Sequence, residues 1–124
     1  MTILIIEDDA VGAQMFGEYL REAGYGVLWA EDGSSGLTTI EQARPDGVLL
    51  DVMLPGGMGG SAVLSELRKR HPNLPIVIYT NGFVPVLVEQ MMAAGATTVF
   101  NKGTLTRQEL TQAFDRALKH GQAA

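Results

Sequence analysis

The sequence predicts an α/β fold: a parallel sheet of five strands alternating with five helices and covered on both faces. Three observations predict it. Short, wholly apolar runs recur along the chain, at Ile3 to Ile6, Val48 to Leu50 and Ile76 to Ile78. Between them lie stretches whose apolar residues return every three or four positions. Glycine, proline and small polar residues mark the boundaries. Continuous apolar strands between amphipathic helices imply strands buried on both faces, whereas a half-exposed antiparallel sheet would alternate. The crossovers of such a sheet are right-handed.

The elements follow in order. Ile3 to Ile6 is β-branched and short enough for a strand, and it ends in Glu7-Asp8-Asp9. Val11, Met15, Phe16, Tyr19, Leu20 and Ala23 form the stripe of a first helix, stopped by Gly24, with Asp8 or Asp9 at its N-cap. Gly26 to Ala30 is a second strand, and Glu31 to Ser35 a turn with capping residues. A helix carrying Leu37, Ile40 and Ala43 ends at Pro45. Gly47 to Asp51 is the third strand. Pro55-Gly56-Gly57 turns the chain away, and Gly56-Gly57-Met58-Gly59-Gly60 is a loop whose glycines admit backbone angles closed to other residues. Ser61 opens a helix with Val63, Leu64 and Leu67 inward and Arg68, Lys69 and Arg70 at its C-terminal end.

Pro75 to Thr80 is the fourth strand, and Asn81-Gly82 a turn. Pro85 begins a helix that runs to about Ala94, with Gly95 as its stop. Met91 or Met92 belongs to the core. Thr97 to Asn101 is the fifth strand, and Lys102-Gly103 turns again. Thr106 and Glu109 have capping-box spacing, ahead of a last helix with Leu110, Ala113, Phe114, Ala117 and Leu118 inward. Gly121 to Ala124 reads as frayed. His71, beside a helix-ending proline, reads as a solvated helix end.

Composition narrows the function. The chain of 124 residues is 46% hydrophobic and 19% charged, the profile of one globular domain. Its net charge of −5, without a basic block, argues against nucleic-acid binding by this chain. The absence of cysteine excludes disulfides and thiolate zinc sites. No run approaches the roughly 20 apolar residues that span a bilayer. No signal peptide is evident at the N-terminus, so a cytoplasmic location is expected.

The chemistry gathers at the strand ends. The first strand ends in Glu7-Asp8-Asp9, the third in Asp51, the fourth in Thr80 and the fifth in Lys102. In a parallel sheet these ends share one edge, where such folds place their ligands. Several acids crowded together call for a cation, and oxygen ligands favour a hard one such as magnesium. A cation beside a carboxylate, with a lysine opposite, suits a phosphoryl group. Asp51 would attack in line and form an acyl phosphate.

On these residues the chain resembles the receiver domains of two-component response regulators. The resemblance rests on Ile3 to Asp9, Leu49 to Gly56, Ile78-Tyr79-Thr80, Ala94-Gly95-Ala96 and Lys102, and covers essentially the whole of residues 1–124. It implies a flavodoxin-like, doubly wound (βα)5 sandwich with strand order 2-1-3-4-5. It implies that Asp51 accepts a phosphoryl group from a phosphohistidine of a sensor histidine kinase or phosphotransfer protein, with Mg2+ (or Mn2+) held by Asp8, Asp51, the Met53 backbone carbonyl and, through water, Glu7. Thr80 and Lys102 would bind phosphoryl oxygens. The readout would be a shift of the fourth helix and fifth strand, with the face they form with the fifth helix open to an output partner or a second copy. Such a domain modifies itself and is not a turnover enzyme.

Four departures from the family pattern bear on this. Val99 stands where an aromatic switch is usual, and Phe100 is its neighbour on the opposite strand face. Gly103 stands where a cis-proline is usual, and since a cis bond without proline costs about 3 kcal/mol, a trans bond is expected. Asn81 is larger than the usual small residue. The glycine loop is one residue longer than usual and lacks the common acid. Two other functions compete: an interaction module of the same fold that works without phosphate, and a small phosphatase of the haloacid dehalogenase kind. The latter usually wants a second acid where Met53 stands.

Overall fold

The computed structural model describes residues 1–54, 56–81 and 84–123. Pro55 and Gly82, both expected in turns, lie outside them, as does Ala124. The chain forms β1 (Thr2–Ile6), α1 (Ala10–Glu22), β2 (Gly26–Ala30), α2 (Gly33–Ala43), β3 (Gly47–Asp51), α3 (Gly60–Arg70), β4 (Ile76–Thr80), α4 (Pro85–Ala93), β5 (Thr98–Asn101) and α5 (Arg107–Ala123). All strand pairs are parallel, in the expected order β2-β1-β3-β4-β5. The register sets Asp51 level with Tyr79 and Thr80 level with Asn101. No helix among the described residues is long and apolar enough to cross a membrane.

Strand alternation sorts the apolar residues into two cores. Leu4, Ile6, Val48, Leu50, Ile76 and Ile78 face α2, α3 and α4, meeting Ile40, Val63, Leu64, Leu67 and Met91. Ile3, Ile5, Leu49, Val77 and Tyr79 face α1 and α5, meeting Phe16, Leu20, Leu110, Phe114 and Leu118. Of the two methionines on α4, Met91 is core and Met92 is exposed.

The caps follow from side-chain chemistry. The Asp9 carboxylate accepts the Val11 and Gly12 N–H groups, each at 3.3 Å, so Asp9 caps α1 and Asp8 is left to the sheet edge. Asp32 accepts the Ser35 N–H at 2.8 Å, so α2 starts at Gly33, inside the expected turn. The box at α5 closes as its spacing predicts. Thr106 Oγ1 accepts the Glu109 N–H at 3.1 Å, and Glu109 Oε1 accepts the Thr106 N–H at 3.0 Å.

Four local expectations need correction. In α1 the inward face is Gly12, Ala13, Phe16, Gly17 and Leu20, while Val11 and Met15 are exposed. The small residues let this helix lie close to the sheet. In the glycine loop only Gly56 has a positive φ, 86°; Gly60 is needed because it packs against backbone. The α5 ladder continues through Gly121 to Ala123 instead of fraying, since one glycine costs only about 1 kcal/mol relative to alanine. His71 is not merely solvated. Its Nε2 lies 3.0 Å from Glu41 Oε1, because the C-terminal ends of α2 and α3 meet. That partnership holds the Glu41 carboxyl below the usual carboxylate range, with the Arg70 charge a smaller cause.

Candidate functional site

The expected edge is real, and it is held from several sides. Glu7 follows β1 and is pinned by its backbone. Its N–H donates to the Ala30 carbonyl at 3.0 Å, and its carbonyl accepts the Trp29 indole N–H at 2.7 Å. Its side chain is wholly buried. Oε1 accepts the Tyr79 hydroxyl at 2.9 Å and the Lys102 ammonium, and Oε2 accepts the Asp9 N–H at 3.2 Å. The first turn of α1 comes this close because residue 12 has no side chain. A Cβ there would stand 3.1 Å from Asp9 Oδ2 and 3.5 Å from Glu7 Oε1.

Asp51 ends β3 and is 5% exposed. Its Oδ1 accepts the Met53 N–H at 3.0 Å, and its Oδ2 lies 3.2 Å from Lys102 Nζ. Lys102 follows β5, where its N–H donates to the Thr80 carbonyl at 3.0 Å. Its ammonium therefore bridges Glu7 and Asp51, and sits 4.9 Å from the centre of the Tyr79 ring. One carboxylate oxygen each from Glu7, Asp8 and Asp51 lie within 4.8 Å of one another.

The electrostatics follow from this crowding. Burial by itself would lower the Lys102 ammonium, but the hydrogen bond to Glu7 and the charges of Asp51 and Glu7 more than offset it and hold it above the usual lysine range. Burial, then the Glu7 charge, pushes the Tyr79 phenol well above the usual tyrosine range. The phenol is therefore a standing donor. Three carboxylates against one ammonium leave the pocket with an excess of negative charge. The donors are all hard oxygens, and one of them, Asp8, is exposed to solvent, so the pocket could hold a divalent cation.

The residues singled out by sequence divide as follows. Glu7, Asp8, Asp51 and Lys102 come together. Thr80, wholly buried, ends β4 on the same edge. Met53 and Asn81 lie exposed on the rim. Val99 packs against the core under α2, α3 and α4, and Phe100 against the core under α1 and α5, as alternation requires. Every peptide bond among the described residues is trans, Lys102–Gly103 included. Tyr79 and Trp29, both bonded to Glu7, were not anticipated. The signal for Tyr79 was a phenol in an otherwise apolar buried strand, since a buried hydroxyl needs a partner. Among the described residues no buried side-chain N or O lacks one.

Residues 3–115 match the family model of the response regulator receiver domain. The chain is 32% identical over 123 residues to a cyclic di-GMP phosphodiesterase of Thermotoga maritima, covering 97% of this chain and 33% of that protein. It is 44% identical over 78 residues to the DNA-binding response regulator MtrA of Mycobacterium tuberculosis, covering 63% of this chain and 33% of the other. The chain thus spans about a third of the length of these curated relatives. A response regulator receiver domain protein from Clostridium thermocellum superposes with a TM-score of 0.90 at 26% identity, covering 98% of this chain and 97% of that one. Sequence match and fold agree: the chain belongs to the response regulator receiver domains of two-component signalling.

Proposed function

We propose that this chain accepts a phosphoryl group on Asp51 from a phosphohistidine of a sensor kinase or phosphotransfer protein, in a magnesium-dependent step that it catalyses on itself. The observation that carries this reading is the placement of Asp51. It is nearly buried at the end of β3, with Lys102 at 3.2 Å and the carboxylates of Glu7 and Asp8 alongside. In the step, a carboxylate oxygen of Asp51 bonds to phosphorus while the P–N bond of the donor breaks. The bonding pair leaves with the imidazole nitrogen. Lys102 shifts its contact from the carboxylate to a phosphoryl oxygen, and the Thr80 hydroxyl binds another. Magnesium or manganese, held by Asp8, Asp51, the Met53 carbonyl and, through water, Glu7, would neutralise charge on the transferring group.

The surface around the mouth supports a protein donor. Val11, whose N–H donates to Asp9, and Met53, whose N–H donates to Asp51, are apolar and exposed, at 76% and 65%. Val84, which precedes α4, and Val86 and Met92 on it are exposed, and a groove between β5 and α5 is lined by Phe100 and Arg116. This α4–β5–α5 face is the proposed output surface, for a partner or a second copy. A phosphoryl group brings nearly two negative charges, enough to bias α4, β5 and the loop between them as a two-state element. With Val99 in place, that relay runs without a rotating aromatic. The net charge of −5, without a basic block, argues against direct nucleic-acid binding by this chain.

The test is intact mass after incubation with a small acyl phosphate. The wild-type chain should gain one phosphoryl group only when magnesium is present, and Asp51→Asn should gain none. An unmodified wild type would favour the phosphate-independent interaction module instead.

A further inference from the structure

We propose that Tyr79 is a positioning residue of this site: its hydroxyl holds the Glu7 carboxylate in place while Lys102 changes partners. The inference rests on the reading of Asp51 as phosphoacceptor and of the acids as a cation site. Glu7 Oε1 has two donors, the Tyr79 hydroxyl at 2.9 Å and the Lys102 ammonium. Lys102 is shared, since Asp51 Oδ2 lies 3.2 Å from the same ammonium. When a phosphoryl group on Asp51 draws Lys102 toward it, Glu7 loses its charged partner. A wholly buried carboxylate left without a donor on one oxygen is costly. The phenol is the donor that stays.

Tyr79 is built to stay. It is wholly buried, and its ring meets Phe16 edge-on, with centroids 5.1 Å apart and planes at 82°. The ring also meets the Lys102 ammonium, 4.9 Å from its centre. One side chain therefore touches both the acid that must remain and the cation that must move. The Asp9 N–H fixes the second Glu7 oxygen at 3.2 Å, so two uncharged donors from two elements set the plane of the carboxylate. A carboxylate so oriented meets a cation without reorganisation, which is how a hydrogen-bonding partner behind a metal ligand raises affinity.

Tyr79→Phe isolates the hydroxyl, because the ring, its edge contact and its face toward Lys102 remain. Magnesium binding is read by NMR from backbone amides and from the single indole N–H, that of Trp29, which donates to the Glu7 carbonyl at 2.7 Å. The variant should bind magnesium about tenfold more weakly. Its phosphorylation rate by an acyl phosphate should return to within about twofold of wild type at saturating magnesium, the signature of lost cation binding with the chemical step intact. In a Glu7→Gln background the same change should have no further effect on magnesium affinity, because Tyr79 acts through Glu7. Equal or tighter binding by Tyr79→Phe, or an undiminished effect in the Glu7→Gln background, would overturn the inference while leaving Asp51 as phosphoacceptor. A wild-type chain that binds no magnesium would overturn both.

Discussion

Replacing Gly60 with alanine should damage the chain far more than the same change a few residues earlier. A Cβ at Gly60 would stand 2.4 Å from Val52 Cα, 2.6 Å from the Asp51 carbonyl oxygen and 2.8 Å from the Val52 carbonyl oxygen. All three are backbone atoms of the segment that carries Asp51, so no side-chain rotation relieves the overlap. Ordinary contact begins at 3.4 Å, so α3 must retreat by about 1 Å. The Gly60 N–H to Val52 carbonyl bond, now 3.0 Å, would then stretch to about 4 Å and be lost. That costs about 1 kcal/mol. Moving Val63, Leu64 and Leu67 off their core contacts adds about 1–3 kcal/mol. Gly57→Ala is the control. A Cβ there meets nothing within 4 Å and the φ is not positive, so the variant should match wild type or gain up to about 1 kcal/mol. Urea unfolding of the three proteins measures the difference. The Gly60→Ala variant should also lose phosphorylation rate at Asp51, since the displaced backbone is that of Asp51 and Val52. Equal midpoints for the two alanine variants would refute the packing account of this loop.

Two further outcomes are expected. Tyr79 and Lys102 both have folded-state pKa values raised above their usual ones, so their contribution is fully present below about pH 10 and is lost as pH rises through the folded values. Urea midpoints should fall above about pH 10, and the fall should be shallower in Tyr79→Phe; an unchanged slope would contradict the assignment. Arg68 bonds the Gly95 carbonyl through Nε at 3.0 Å and Nη2 at 2.6 Å, and the His71, Pro72 and Leu74 carbonyls through Nη1 at 2.9, 3.0 and 2.8 Å. An ammonium cannot span these positions, so Arg68→Lys should lose about 1–3 kcal/mol in the same assay. A variant as stable as wild type would show that the fork contributes nothing.

The strands were legible because an apolar run between punctuating residues has few alternatives. Gly26–Ala30 and Gly47–Asp51 lie where the sequence placed them. Asp51 and Lys102 were legible because they sit at strand ends, and a parallel sheet gathers such ends. Their partners were harder to read. Tyr79 lies 72 residues from Glu7, and only the sheet register brings the two together. His71 and Glu41, 30 residues apart, meet through the packing of α2 on α3. The α1 face was misread because small residues, not the large ones, face inward there. Periodicity assigns Val11 and Met15 to a stripe, but only the close approach of Gly12, Ala13 and Gly17 decides which stripe is buried. In the glycine loop, composition suggested backbone freedom throughout, whereas Gly60 is required by contact with Val52.

The central claim is that Asp51 itself carries the phosphoryl group. Borohydride reduction after treatment with an acyl phosphate and magnesium converts an aspartyl phosphate to homoserine, which peptide sequencing locates. The account predicts homoserine at position 51 alone, in proportion to the phosphoryl group gained. Reduction at Asp8 or Asp9, or a phosphorylated chain with Asp51 unreduced, would contradict it.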